Sequence, residues 1–267
     1  MNRLKVAVVS SRSRFCDIEQ NLKHFRIIIK EASSQGARLI CFPELALSGY
    51  TTENKVFHVA QKVPGPITDK LTDLTRACNV YVSIGLPEKS GGKFYITQVI
   101  TGAKGYIGKY RKHHPCEHGF SAGKAFPTFM IDGFKLGINI CADGRYLDTI
   151  KAMKRANVDI IHHPHGNYLG LGKDAEEWTR GKMVYFVKRA IFARAYILIS
   201  NSTGSIKSSE SEHHFGSGAM IIDPLGQVVK RTRQKTRTEK TIITELIIPL
   251  SSLIPDFEMR RLKIKGH

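Results

Sequence analysis

Three neighbouring segments at the start of the chain constrain its fold most. Residues 4–10 form an apolar run rich in β-branched side chains, a helical pattern follows, and residues 39–42 form a second apolar run. Asp17, with Gln20 three positions on, is a capping-box arrangement that opens the helix. Ile18, Leu22, Phe25, Ile29 and Ala32 recur at helical spacing, and Gly36 supplies the stop. A strand, a helix of about five turns and a second buried-type strand make an α/β unit.

The rest of the chain continues in the same style. A second helical pattern covers 68–77, and strand patterns at 80–87, 94–100 and 105–110 follow as two adjacent hairpins, which predicts that part of the sheet is antiparallel. Residues 129–140 read as a hairpin turning at Asp132-Gly133. A helix is expected from Arg145, a strand at 158–167, and a long helix at 174–195 with Trp178 and Phe186 on its apolar side. A strand at 196–202, a Ser/Gly-rich loop reaching Gly218, a hairpin at 219–229 and a last strand at 241–248 complete the pattern. The expectation is one α/β domain over 1–267, with many strands and about five helices.

Composition narrows the function classes. No apolar run approaches the roughly 20 residues needed to cross a bilayer, and the first residues lead straight into a strand pattern without the features of a signal peptide. Five cysteines (Cys16, Cys41, Cys78, Cys116, Cys141) are widely spaced and form no CxxC pair, so reduced thiols in a cytoplasm are expected. The excess of 41 Lys+Arg over 23 Asp+Glu, formally +18, attracts anionic partners. Its densest run, at 230–240, has no aromatic residue to stack on bases and sits between two strand patterns, which favours a solvated hairpin loop over a nucleic-acid groove.

Polar residues at strand ends carry the chemistry. Glu44 follows the apolar run at 39–42, where α/β sheets place functional groups. Lys112 stands in the crowded stretch 110–123, whose His113, His114, Cys116 and His118 invite a zinc reading. Adjacent histidines on an irregular loop seldom converge on one ion, and no metal is expected. Cys141 ends a short apolar run and precedes a helical pattern, so the N–H groups of a new helix are expected to lower its pKa toward a thiolate. His163, His165 and Asn167 line a pocket if their strand lies beside the cysteine strand.

Taken in order, these stretches resemble the nitrilase superfamily of carbon–nitrogen hydrolases over nearly the whole chain. Phe42-Pro43-Glu44 with Gly49-Tyr50 is similar to its glutamate motif, and Gly108-Lys109-Tyr110-Arg111-Lys112 with His114 to its lysine motif. Gly137-Ile138-Asn139-Ile140-Cys141 is similar to its nucleophile motif, and Asp143, Arg145 and Tyr146 fit the positions after it. The resemblance implies a four-layer α-β-β-α sandwich, commonly dimerised through one helical face. It implies Cys141 as nucleophile, Glu44 as the base and acid, and Lys112 with the backbone N–H of Ala142 as the oxyanion cradle. Glu117 is the candidate for the family's second glutamate, and Tyr50, Arg145, His163 and His165 are candidate substrate contacts. Arg145 either meets a substrate carboxylate or caps structure within the helix.

A thioester route needs no metal or organic cofactor. Nitrile-cleaving members usually carry tryptophan and then an acid after the cysteine. Ala142-Asp143 here shifts the expected substrate to a small amide or N-carbamoyl compound. Two alternatives remain open: a binding or regulatory protein on the same fold, and acyl transfer from the same site to an amine.

Overall fold

The computed structural model describes residues 2–51, 53–169, 175–207, 212–216, 218–232 and 238–248. In chain order its elements begin with β1 (Asn2–Ser11), α1 (Ile18–Ser34), β2 (Leu39–Cys41), α2 (Pro66–Cys78), β3 (Tyr81–Ser90), β4 (Lys93–Gly102) and β5 (Gly105–Arg111). Next come β6 (Phe129–Ile131), β7 (Phe134–Ile138), α3 (Leu147–Arg155), β8 (Ile160–His165), β9 (Tyr168–Leu169), α4 (Ala175–Ala193) and β10 (Tyr196–Ser202). The last are β11 (Ser205–Lys207), β12 (Glu212–Phe215), β13 (Met220–Ile222), β14 (Val228–Arg231) and β15 (Lys240–Ile248).

The strands run β5-β4-β3-β2-β1-β10-β8-β7-β6, with β15 antiparallel on β1 and the β13–β14 hairpin on β10. The sheet doubles back on itself. Ser83 of β3 and His162 of β8 stand four strand positions apart along that path, yet Ser83 Oγ lies 2.9 Å from His162 Nδ1. In a flat sheet, strands about 4.8 Å apart would separate them by nearly 20 Å. The two halves therefore face each other.

Strand alternation sorts the core into layers. Val6, Val8, Leu39 and Cys41 point into the space between the halves, with Ile96, Ile100, Leu136, Ile138 and Leu198. Their sequence neighbours Ala7, Val9, Ile40 and Phe42 point outward against Phe25 and Ile29 of α1 and Leu71 and Leu74 of α2. On the opposite flank, Ile150 and Met153 of α3 and Phe186 and Ala190 of α4 cover Ile161, Ile197 and Ile199. The order helix, sheet, sheet, helix is the expected α-β-β-α sandwich. Asp17 caps α1 as expected, its carboxylate accepting the Gln20 N–H at 3.1 Å.

Three expectations need correction. The described residues hold four α-helices and two 3-10 turns, not about five helices. The stretch expected to be a loop up to Gly218 contains β11 and β12, which pair with each other, and β12 also pairs with β9; its serines and histidines lack the apolar alternation that would mark strands. The helix behind Cys141 begins only at Leu147, after a 3-10 turn over Cys141–Arg145. The side chain of Trp178, residues 233–237 within the basic run and residues 249–267 lie outside the described residues.

Candidate active site

Glu44 follows β2 by three residues, and its backbone lies tightly against β3. Gly85 makes that approach possible, since a Cβ there would sit 2.7 Å from the Pro43 carbonyl oxygen. Phe42 N–H donates to Ser83 O and Leu47 N–H to Gly85 O, pinning the Glu44 turn from both sides. The Phe25 ring, 4.9 Å from that of Phe42, locks α1 over the same strand end, a contact of about 0.5–1.5 kcal/mol.

Lys112 is the first residue past β5, held by its own N–H to Ile96 O and by Gly123 N–H to its carbonyl. Its side chain is fully buried. The ammonium donates to Glu44 Oε1 at 2.7 Å and to Glu117 at 2.7 and 2.9 Å. The second oxygen of Glu44 accepts the Gly166 N–H at 3.0 Å. Glu117 also accepts the Tyr50 hydroxyl at 2.8 Å and the Cys116 N–H at 3.0 Å. Tyr50, expected as a substrate contact, thus gives its hydroxyl to Glu117.

Two carboxylates on one cation leave an unequal charge balance in a dry place. Burial pushes the Glu44 carboxyl up; Lys112 opposes this and Glu117 adds to it, leaving Glu44 at about 7. Burial also works against Glu117, but Lys112 and the hydroxyl of Tyr50 outweigh it and hold that carboxyl below its ordinary range. The Lys112 ammonium loses water on burial yet is held well above its ordinary value by Glu44, Cys141 and Glu117.

Cys141 opens the 3-10 turn with φ +44, in the left-handed region that costs a side-chain-bearing residue about 1–3 kcal/mol. The turn is held by Asp143, whose Oδ2 accepts the Ile140 N–H at 3.0 Å and the Tyr110 hydroxyl at 2.7 Å. Its Oδ1 accepts the N–H groups of His113 and His114 at 3.0 and 2.7 Å. One buried carboxylate therefore ties the lysine loop to the cysteine turn. Ala142 is the second residue of that turn, whose leading N–H groups have no acceptor within it.

The expected low thiol pKa is not what the structure gives. Burial and Glu44 push the Cys141 thiol well above its ordinary value, and Lys112 offsets only part of this. Two physical reasons account for the difference. The α-helix starts six residues downstream, so no full helix dipole faces the sulfur, and the charge of Lys112 is already matched by Glu44 and Glu117.

Strands β7 and β8 are parallel neighbours, with Ile138 paired to His162, which satisfies the condition set for His163, His165 and Asn167. Cys141 Sγ donates to Asn167 Oδ1 at 3.4 Å. His163 bonds through Nδ1 to the Asn139 carbonyl, and His165 Nδ1 meets the Asn167 amide at 2.6 Å. Burial lowers both imidazoles, His163 to about 4 and His165 well below the usual histidine range, so both are neutral. Arg145 is exposed at the end of the turn, where its carbonyl accepts from Arg189 at 3.3 Å.

The histidines weighed for zinc do not gather as the set His113, His114, Cys116 and His118. Among the described residues His113 and His114 converge instead on Asp148, with His114 Nε2 2.9 Å from its carboxylate. Asp148 is hydrogen-bonded to His114, and Tyr146 stacks on the His114 ring at 3.7 Å. Sequence reasoning did not find the staple made by Asp143 or the Gly166 N–H on Glu44, because both depend on contacts between distant segments.

A model of the carbon–nitrogen hydrolase family matches residues 5–252. A nitrilase of Pyrococcus abyssi is 36% identical over 168 residues, covering 60% of this chain and 64% of that protein. An omega-amidase of Bos taurus is 29% identical over 264 residues, covering 91% of this chain and 90% of that one. In shape the chain is similar to Nit3 of Saccharomyces cerevisiae, a member of branch 10 of the nitrilase superfamily, with TM-score 0.80 and 21% identity over 99% of this chain and 96% of that one. It is also similar to the Nesterenkonia sp. AN1 amidase of the nitrilase superfamily, with TM-score 0.79 and 18% identity over 91% and 90% of the two chains.

Proposed function

The chain belongs to the carbon–nitrogen hydrolase family, and from that premise we propose that it is a cysteine-dependent amidohydrolase acting on a small carboxamide or N-carbamoyl compound. The observation that carries this reading is the buried Lys112 ammonium, bonded at 2.7 Å to both Glu44 and Glu117 within electrostatic reach of Cys141. A carboxyl titrating near neutrality, a fixed cation and a thiol are the parts that amide cleavage requires. No helix among the described residues is long and apolar enough to cross a membrane.

In this mechanism the Cys141 thiol gives its proton to Glu44 as sulfur attacks the amide carbon. A resting thiol beside a base near pH 7 suits transfer in step with attack rather than a standing thiolate. Charge moves to the carbonyl oxygen, where Lys112 and the Ala142 N–H receive it. The tetrahedral intermediate collapses, the C–N bond breaks, and protonated Glu44 supplies the leaving amine with its proton. A thioester remains on Cys141. Water then attacks it and gives a proton to Glu44, the C–S bond breaks, and Glu44 returns the proton to sulfur as the acid product leaves. Glu117 keeps the Lys112 ammonium oriented throughout, and Tyr50 orients Glu117.

Ala142 where nitrile-cleaving members usually carry tryptophan supports amide or carbamoyl substrates, and the similarity to an omega-amidase over 91% of this chain points the same way. Arg145, His163 and His165 border the substrate side in this reading, and the working unit is a homodimer or higher oligomer of a single domain.

The test is direct. Cys141→Ala should abolish hydrolysis across a panel of carboxamides and N-carbamoyl compounds while circular dichroism stays native. Mass spectrometry of Glu44→Gln, in which deacylation is slowed, should reveal an acyl group on Cys141. Full turnover by Cys141→Ala would overturn the proposal. Losing Glu44 or Lys112 should cost on the order of 10²- to 10⁴-fold in rate.

A further inference from the structure

The turn leaving β8 touches both halves of the proton-transfer pair. Gly166 donates its N–H to Glu44 Oε2 at 3.0 Å, and the next residue, Asn167, receives the thiol of Cys141 on its side-chain oxygen at 3.4 Å. The Asn167 backbone is itself clamped: its N–H donates to Asn201 Oδ1 at 3.0 Å, and its carbonyl accepts from Gly216 N–H at 3.1 Å and from Asn201 Nδ2 at 3.4 Å. Behind the amide stands His165, whose Nδ1 lies 2.6 Å from Asn167 Nδ2. With the amide nitrogen facing it, Nδ1 carries the lone pair and the ring proton sits on Nε2, which meets no acceptor among the described residues. His165 is 4% exposed and packs on His163 at 4.2 Å and Phe186 at 5.4 Å.

We propose that Asn167, oriented by His165, is a positioning residue that accepts the resting thiol proton of Cys141 and aims the sulfur at the substrate. This rests on Cys141 being the nucleophile. The chain of contacts has one polarity: His165 takes an N–H from the amide, which turns the amide oxygen toward sulfur. That oxygen favours the protonated thiol over the thiolate, because a bond accepted from the neutral form stabilises that form. During attack the proton passes to Glu44, and the sulfur leaves Asn167 for the carbonyl carbon. No proton is transferred to Asn167, and nothing is consumed there.

The charged and titratable groups facing Cys141 are Glu44, Lys112, Glu117, Cys116 and Tyr50, with Lys182 and Tyr185 approaching from α4. Around His165 they are His162, His163, Lys112 and Lys182. None of them replaces the amide oxygen at the sulfur, so the effect of Asn167 is separable by substitution.

The experiment is alkylation of Cys141 by iodoacetamide, followed by mass spectrometry against pH in the full-length protein. Asn167→Ala removes the acceptor and should shift the alkylation profile to lower pH. Asn167→Asp places an anion at the same point and should shift it to higher pH, with labelling at pH 7 slowed by about tenfold or more. His165→Leu should reproduce the direction of Asn167→Ala, His165→Asn should restore the wild-type profile by keeping an acceptor, and the double variant should be no worse than Asn167→Ala alone. A merely structural role would move Asn167→Ala and Asn167→Asp in the same direction or leave the profile in place, and either result overturns the inference. Because alkylation needs no substrate, it stands apart from the amide-hydrolysis test of Cys141→Ala, and each reading can fail alone.

Discussion

Tyr110 gives its hydroxyl to Asp143 across 2.7 Å, both side chains buried, and so joins the strand that leads into Lys112 to the turn that carries Cys141. The same carboxylate takes three backbone N–H groups, from His113, His114 and Ile140. Asp143→Ala strands four donors away from water and should cost about 3–5 kcal/mol of stability. Asp143→Asn keeps the shape but turns an NH₂ toward donors, at a smaller cost of about 1–3 kcal/mol. Urea denaturation measures both. A loss below about 1 kcal/mol for the alanine variant would show that the staple is not structural.

The rate of amide hydrolysis should follow the ionisation of Glu44. Its carboxyl stands at about 7, and only the carboxylate can take the thiol proton. Activity should therefore rise with pH through about 7 and then level, since Lys112 keeps its proton well above its ordinary value. Glu117 contributes to the high value through like-charge repulsion, so Glu117→Gln should move the limb of kcat/KM against pH to lower pH even as kcat falls. A limb that stays in place in that variant would remove Glu117 from the electrostatics of the base.

Glu44 and Lys112 were legible in the sequence because each stands just past an apolar strand in a motif of the family, whereas Glu117 was legible only as the one acidic residue in the loop after Lys112. The sandwich was legible for a related reason: Val6 to Val9 and Leu39 to Phe42 alternate between two cores, which requires a sheet covered on both faces. What stayed hidden depends on pairing between distant segments. That Asn167 reaches Cys141 follows from the β7–β8 register, which no local pattern encodes. The high pKa of Cys141 follows from burial and from two carboxylates sharing one lysine, quantities that exist only after folding. Strand β12 pairs with β9 more than forty residues away, a contact that no local pattern announces.

Gly166 is required by space as well as by its N–H. A Cβ at this position would overlap the ring of Tyr50, the same ring whose hydroxyl holds Glu117. Gly166→Ala should push the ring off Glu117 or draw the N–H away from Glu44, and either displacement should lower kcat by about 10²-fold. Adding Tyr50→Ala should relieve the overlap and recover thermal stability without recovering rate. A single Gly166→Ala variant with wild-type activity would mean that the Tyr50 ring can move without consequence.

Acid should unfold the protein early, through its buried histidines. His162 bridges Ser83 and Ser200 at 2.9 Å on either side, between the two halves of the sheet, and burial lowers it to about 3. His163 stands at about 4 and His165 well below the usual range, whereas in the unfolded chain each titrates near about 6.5. Between those values the unfolded chain binds more protons than the folded one, so the stability these residues contribute is complete above about 6.5 and is lost as pH falls toward 4 and 3. Each histidine changes stability by about 1.4 kcal/mol per pH unit in that window, and three together by about 4 kcal/mol per unit. Glu44 works in the opposite sense, because its raised carboxyl favours the folded state as pH falls through 7, and Asp143, raised by burial, adds to it at lower pH, but three histidines outweigh them. Against a total of about 5–15 kcal/mol, the urea midpoint should drop steeply between pH 6.5 and 5. His162→Gln should lower the starting stability and flatten that slope by about half, since Glu44 already offsets one of the three histidines. A midpoint unchanged over this range would show that the buried rings take up protons without unfolding the sandwich.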